Sequence, residues 1–314
     1  MTDIINLPLA RNPNFTGREP ALTELADGFN SDDRGTSIQV IKGMGGVGKT
    51  QLALEFAYRY AAAYQVIWWL HAVDESILAS DYAAFAGAVD LPEKAASQET
   101  AIAAVRRWLD THQGWLLIFD SVRQPQEVHD YLPRQARGQI LLTSRHQVWE
   151  KRFHALHLDA WPGSEAASFL ARRTNLPCTP EADGVALAMK HLPLALEHAG
   201  AWIVANSSDF DGYLKVVDAC HRRLWENRNP PLNYPDTLGT TCTLCIERIQ
   251  AERPIGVFIL KLCAFFASHD ISLKLIQAAR AHVSRELSGE LTDMSVLDEG
   301  IEALNRYALV SRRP

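Results

Sequence analysis

No apolar run in this 314-residue chain is long enough to cross a bilayer as a helix. The longest, Gly256 to Ser268, is broken by Lys261 and falls well short of the roughly 20 residues a span needs. The first residues, Met1-Thr2-Asp3-Ile4-Ile5-Asn6, have neither the basic start nor the apolar stretch of a secretory leader. Cysteine is scarce and odd in number, five in all, without the spacing of a disulfide framework. The thiols are therefore expected to be reduced and the compartment cytoplasmic. Cys242 and Cys245 form a C-x-x-C pair, yet no second pair stands at zinc spacing. They sit in a helical pattern with Leu244, Ile246 and Ile249, which reads as small buried apolar residues rather than metal ligands. Positive charge is also in deficit: 31 Lys+Arg against 37 Asp+Glu give a net −6, unlike a protein whose main partner is nucleic acid. There is no internal repeat and no low-complexity tract.

What is present is core material. The chain is 47% hydrophobic and 22% charged, the balance of a globular protein, and its length suggests about two to three domains. Short β-branched or aromatic runs occur at 37–41, 65–70, 115–120, 139–144 and about 154–158. Helical patterns alternate with them: one starting near Pro20, then about 51–63, 76–89 and 98–112. Such alternation predicts a five-stranded parallel sheet covered by helices on both faces. Residues 1–14, with Asn12-Pro13-Asn14, read as an irregular arm. After Pro162 the strand signals stop. Helices are expected over 164–173, 181–191, 193–205 and 210–226. A Pro-rich linker follows at 229–235, and then further helices at 240–251, 255–267, 272–279 and 296–306.

The segment around which this pattern is arranged is Gly43-Met44-Gly45-Gly46-Val47-Gly48-Lys49-Thr50, which fits G-x-x-x-x-G-K-[ST] between a strand and a helix. A triphosphate crowds negative charge into a few ångströms. A helix N-terminus supplies unpaired N–H donors and the positive end of a dipole, and glycines let the backbone curl round the phosphates. Lys49 would reach the β- and γ-phosphates, and the Thr50 hydroxyl would ligate Mg²⁺, with Gln51 in the first helical turn. A plain glycine-rich turn would need neither Lys nor Thr at those offsets.

Two further strand ends qualify. Asp120 closes the apolar run Leu116-Leu117-Ile118-Phe119, where a carboxylate can hold Mg²⁺ through water. Arg145 closes Leu142-Thr143-Ser144 and could place its guanidinium near a γ-phosphate, reading which nucleotide is bound and stabilising charge in transfer. Ligands of parallel sheets bind at these carboxyl ends.

Taken with Phe15-Thr16-Gly17-Arg18-Glu19 and His191-Leu192-Pro193-Leu194-Ala195-Leu196, these segments carry a resemblance. In this order they resemble the signal-transduction ATPases with numerous domains, specifically the NB-ARC branch. Lys261-Leu262-Cys263-Ala264-Phe265-Phe266-Ala267 and the run 304–310 are similar to that family's winged-helix domain. The resemblance implies a nucleotide-binding domain over 1–160, a helical domain over 161–236 and a winged helix over 237–314, incomplete at its C-terminus. It implies adenine contacts from the backbone around Thr16 and the side chain of Arg18, and packing of Pro193 against base or ribose. It also implies ADP or ATP with Mg²⁺ as cofactors, and a switch that is closed with ADP and open to self-association with ATP.

Two departures bear on that expectation. Ser121 stands where the family has a second acidic residue, so hydrolysis is expected to be slow unless another carboxylate orients the water; Asp74 is the candidate. The family's winged-helix histidine motif lies beyond Pro314, so the natural protein is expected to continue into helical sensor repeats. A winged helix could instead read DNA, making the protein a transcriptional regulator. Residues 240–314 hold nine Lys/Arg and nine Asp/Glu, however, and a groove-binding module is normally basic.

Overall fold

The computed structural model describes residues 4–30, 37–95, 97–134, 137–150, 153–226, 236–266, 271–279 and 293–310. It divides into two compact units, Met1–Asp159 and Ala160–Pro314.

The first unit is built on a parallel sheet. Its strands are β1 (Ile4–Asn6), β2 (Ser37–Lys42), β3 (Val66–His71), β4 (Gln113–Val122), β5 (Arg137–Ser144) and β6 (His154–His157), in the spatial order β1-β3-β4-β5-β2-β6. The helices between them are α1 (Glu19–Asn30), α2 (Lys49–Arg59), α3 (Glu75–Ala88), α4 (Gln98–Thr111) and the single turn α5 (Gln126–His129). The central strands are continuously apolar because both faces are covered. On one face Leu70, Leu117, Phe119 and Leu142 pack with Leu78, Tyr82, Phe85, Val105 and Leu109 of α3 and α4. On the other, Ile41, Trp69, Leu116, Ile118 and Leu141 pack with Leu22 and Leu25 of α1 and Leu52 and Phe56 of α2.

The sheet has six strands, not the expected five. The supposed irregular arm contributes β1, which runs parallel to β3 with Ile4 opposite Val66 and Asn6 opposite Trp68. Three residues are too short to show a side-chain period, and an edge strand is held by main-chain bonds that any sequence can make. The rest of that arm lies along α2. Arg11 donates twice to the buried Glu55 carboxylate, Asn12 Nδ2 donates to Gln51 Oε1, and the Tyr58 hydroxyl donates to Leu9 O.

The second unit is helical: α6 (Gly163–Thr174), α7 (Pro180–Ala188), α8 (Pro193–Ala205), α9 (Phe210–Glu226), α10 (Asp236–Glu252), α11 (Pro254–Cys263), α12 (Leu273–Ala278) and α13 (Met294–Arg306). They share one hydrophobic core that includes Phe169, Leu196, Trp202, Tyr213, Cys245, Ile249, Leu297 and Leu304. Cys245 is fully buried in it. Among the described residues from 236 to 310 there are four helices and no strand, so a winged helix here rests on the resemblance. The Pro-rich linker lies outside the described residues. None of the described helices is long and apolar enough to cross a membrane.

Candidate functional site

β2 ends at Lys42 and α2 begins at Lys49, and the glycine loop joins them. The loop bends where glycine is required: Gly46 and Gly48 have φ of 80° and 98°, a region that residues with a Cβ rarely enter. Val47 is fully buried and pins the loop into the core beneath it, while Met44 is half exposed at its rim. Gly43 N–H donates to Ser144 O of β5, and the first bond into α2 is Leu52 N–H to Gly48 O. Among the described residues the N–H groups of Met44, Gly45, Gly46, Val47 and Gly48 donate to no acceptor. A row of unpaired amides at a helix N-terminus is a ready anion cradle.

Lys49 and Arg145 bring positive charge to it. Lys49 Nζ donates to Gly43 O at 3.0 Å and Met44 O at 2.8 Å. Burial, with the neighbouring Arg145 cation adding to it against the pull of Asp120, lowers its pKa to about 8. Arg145 lies across the loop: a Cβ on Gly45 would meet its Cζ and Nη2 at 3.3 Å. Two cations crowded against unpaired amides are the electrostatic signature of a site that takes an anion.

The carboxylate faces this loop. Asp120 Oδ1 accepts from Thr50 Oγ1 at 2.9 Å and from Thr143 Oγ1 at 2.6 Å. The register of β4 on β5 breaks between Phe119 and Val122, which pair with Leu142 and Ser144. Asp120 and Ser121 therefore stand opposite the single residue Thr143, the arrangement of a β-bulge, which re-aims a side chain at a strand end. Ser121 adopts φ 68° there, and its N–H donates to Thr143 Oγ1 at 2.8 Å. Thr143 is almost fully buried and was not singled out by the sequence. Nothing but its place in β5, between the strands that carry Asp120 and the loop, gives it its part. Ser144 is equally buried and locks the same corner through Val122 O.

Thr50 and Asp120 together fit Mg²⁺. They are hard oxygen donors side by side, and Mg²⁺ is commonly held by one or two protein oxygens plus phosphates and water. Among the described residues no cluster of three His, Cys, Asp or Glu could cage a metal alone.

The remaining expected residues are dispersed. Thr16 is buried, and its hydroxyl donates to Asn14 O. The guanidinium of Arg18 donates to Val47 O at 3.3 Å and Asp159 O at 2.6 Å, so it buttresses the tip of the glycine loop. Gln51 is held by Asn12. Asp74 is the N-cap of α3, taking both the N–H and the hydroxyl of Ser76. Those bonds hold its carboxyl below the usual range, and both are accepted by Oδ1. Pro193, in the second unit, is the first residue of α8.

A strand, an N–H-lined glycine loop with lysine, a helix and a neighbouring strand-end aspartate on a parallel sheet define a P-loop NTPase. The NB-ARC domain family matches residues 19–155, and over that span, a little under half of the chain, the protein is similar to that domain. A nucleotide-binding leucine-rich repeat (NLR)-like protein of Hyaloscypha variabilis is 25% identical over 94% of this chain. The regulatory protein AfsR of Streptomyces griseus is 27% identical over the same share. The chain spans about a third of the length of these relatives, 34% and 31%. A crystal structure of a Signal Transduction ATPase with Numerous Domains (STAND) protein with a tetratricopeptide repeat sensor, from Pyrococcus horikoshii, aligns with a TM-score of 0.49 at 15% identity. That alignment covers 96% of this chain and 53% of the other.

Proposed function

We propose that the chain is the core of a nucleotide-controlled switch in the cytoplasm. The observation that carries this reading is the run of unpaired amides from Met44 to Gly48 set against the crowded cations Lys49 and Arg145. Such a cradle is matched by a phosphate tail and by little else. The amides from Met44 through Gln51 would wrap the α- and β-phosphates. Lys49 would exchange its two carbonyl contacts for phosphate oxygens, and Thr50 and Asp120 would hold Mg²⁺, the aspartate through water. The metal would draw charge off the phosphate oxygens. The resemblance adds the backbone around Thr16 and the side chain of Arg18 on the adenine side.

Switching requires that the two nucleotides favour different conformations, because a ligand shifts an equilibrium only through differential affinity. In this reading Arg145, which lies across Gly45, meets the γ-phosphate and so distinguishes ATP from ADP. ADP then stabilises a closed, autoinhibited form, and ATP an open form able to self-associate. Slow hydrolysis resets the state. The DNA-binding alternative is not favoured, given the charge balance of residues 240–314.

Titration of Lys49→Ala with ADP tests the reading. Loss of binding is expected with the fold intact by circular dichroism; ADP affinity equal to that of the unaltered chain would refute it.

A further inference from the structure

Lys42 is the last residue of β2, immediately before the phosphate loop, and it stands opposite Ser144 of β5 and His157 of β6. It ends an otherwise uncharged strand, Ser37-Ile38-Gln39-Val40-Ile41. Among the described residues its ammonium pairs with no carboxylate. Instead Lys42 Nζ donates to Gln147 O at 2.9 Å, crossing from the strand that carries the phosphate loop to the segment that follows Arg145.

That segment has no regular structure from Arg145 to Glu150, yet it is fixed by its own side chains. His146 N–H donates to Ser144 Oγ at 2.9 Å, Gln147 Nε2 to Arg145 O at 3.0 Å, and Trp149 Nε1 to His146 O at 3.0 Å. Trp149 in turn meets Phe153 edge-on, ring centroids 5.0 Å apart, and packs against the core that α3 and α4 cover. The Arg145 guanidinium lies against Gly45 and pairs with no carboxylate among the described residues. Its place is therefore set by the backbone that carries it. Trp149 ties that backbone to the core of the sheet, and Lys42 ties it to the strand from which the phosphate loop springs.

We infer that Lys42 is a positioning residue for nucleotide discrimination: by holding Gln147 O it keeps Arg145 against the phosphate loop, where a γ-phosphate meets it. This rests on the role proposed above for Arg145. A bond from a partly exposed ammonium to a carbonyl adds little to the stability of the fold, because water replaces it when it is lost. Its effect on a ligand is different. ATP meets Arg145 only while the segment stands against the phosphate loop. A loosened segment does so for a fraction of the time, and ATP affinity falls by that fraction. ADP has no γ-phosphate and does not register the change.

The test is a double-mutant cycle on the full chain, with Lys42→Met, Arg145→Ala and the two combined, each titrated with ATP·Mg²⁺ and with ADP·Mg²⁺. Lys42→Met keeps most of the apolar stem and removes the donor. Expected are ATP affinity lower by about fivefold, the worth of one hydrogen bond, and ADP affinity within about twofold of the unaltered chain. In the Arg145→Ala background the same change should cost ATP nothing further. Lys42→Arg, which can still donate to Gln147 O, should keep most of the preference for ATP. If Lys42→Met does not fold, Lys42→Gln, whose amide falls short of the ammonium's reach, carries the same expectation. Equal losses for ATP and ADP would make Lys42 a distant charge or a tie of the fold and overturn the inference. So would unchanged ATP affinity in a folded Lys42 variant, or a loss that adds in full to that of Arg145→Ala. The reading of Arg145 fails separately: if Arg145→Ala by itself leaves the preference for ATP intact, Arg145 does not read the γ-phosphate, and the role of Lys42 falls with it.

Discussion

Thr50 and Asp120, 70 positions apart in sequence, share a hydrogen bond of 2.9 Å. The hydroxyl belongs to the first turn of α2 and the carboxylate to the bulged end of β4, so the bond ties the phosphate loop to the strand two places across the sheet. It also brings together the two oxygens assigned to Mg²⁺. Asp120→Asn should leave ADP binding in the absence of metal nearly unchanged and weaken the Mg²⁺-dependent gain in ATP affinity by about 10- to 100-fold. ATP titrations with Mg²⁺ and with EDTA measure that gain.

Thr143 holds the bulge by donating to Asp120 and accepting from Ser121 N–H. Thr143→Val keeps the volume but removes both roles, stranding a backbone N–H near the core. A loss of about 1–3 kcal/mol in denaturant-unfolding stability is expected, together with weaker Mg²⁺-dependent ATP binding. Thr143→Ser should retain most of both.

Arg145 across Gly45 should discriminate between nucleotides. Arg145→Ala is expected to lower ATP affinity by about 10- to 100-fold, the worth of one charge-assisted hydrogen bond, and to leave ADP affinity within a few-fold. Equal losses for both ligands would assign Arg145 to the loop rather than to the γ-phosphate.

Lys49 gives the site a pH dependence. With its pKa lowered to about 8 in the folded chain by burial and Arg145, it releases its proton more readily there than in the unfolded chain. Between pH 8 and about 10.5 the unfolded chain therefore holds more protons, and stability without ligand should rise with pH over that window. Below pH 8 the cost of burying the charged lysine is present in full. ADP affinity should move the opposite way, falling by up to about tenfold per pH unit above 8 as the ammonium is lost. Lys49→Met should flatten the stability profile, and chemical unfolding across pH 7–10 reads it directly.

The parts of this site that could be read from sequence are those with a local pattern. The glycine loop announces itself because each residue type sits at a fixed offset between a strand and a helix. Asp120 and Arg145 stand at the ends of apolar runs, where ligands of parallel sheets bind. β1 was hidden because Ile4–Asn6 is too short to show a period, and α5 because it is one turn. Thr143 was hidden for a different reason. Its place opposite Asp120 and Ser121 follows from the pairing of β4 with β5 and its shifted register, which linear spacing does not encode. Asp74 looked like a candidate for orienting water because it follows an apolar strand. A residue at that point is equally the natural cap of the next helix, and capping is what it does.

The nucleotide carried by the protein as purified bears most directly on whether this loop holds a phosphate tail. After gel filtration, acid extraction and chromatography should recover about one ADP per chain from the unaltered protein and none from folded Lys49→Ala. An unaltered chain that emerges empty and takes up neither ADP nor ATP, or a Lys49→Ala chain that keeps its full complement, would contradict the assignment.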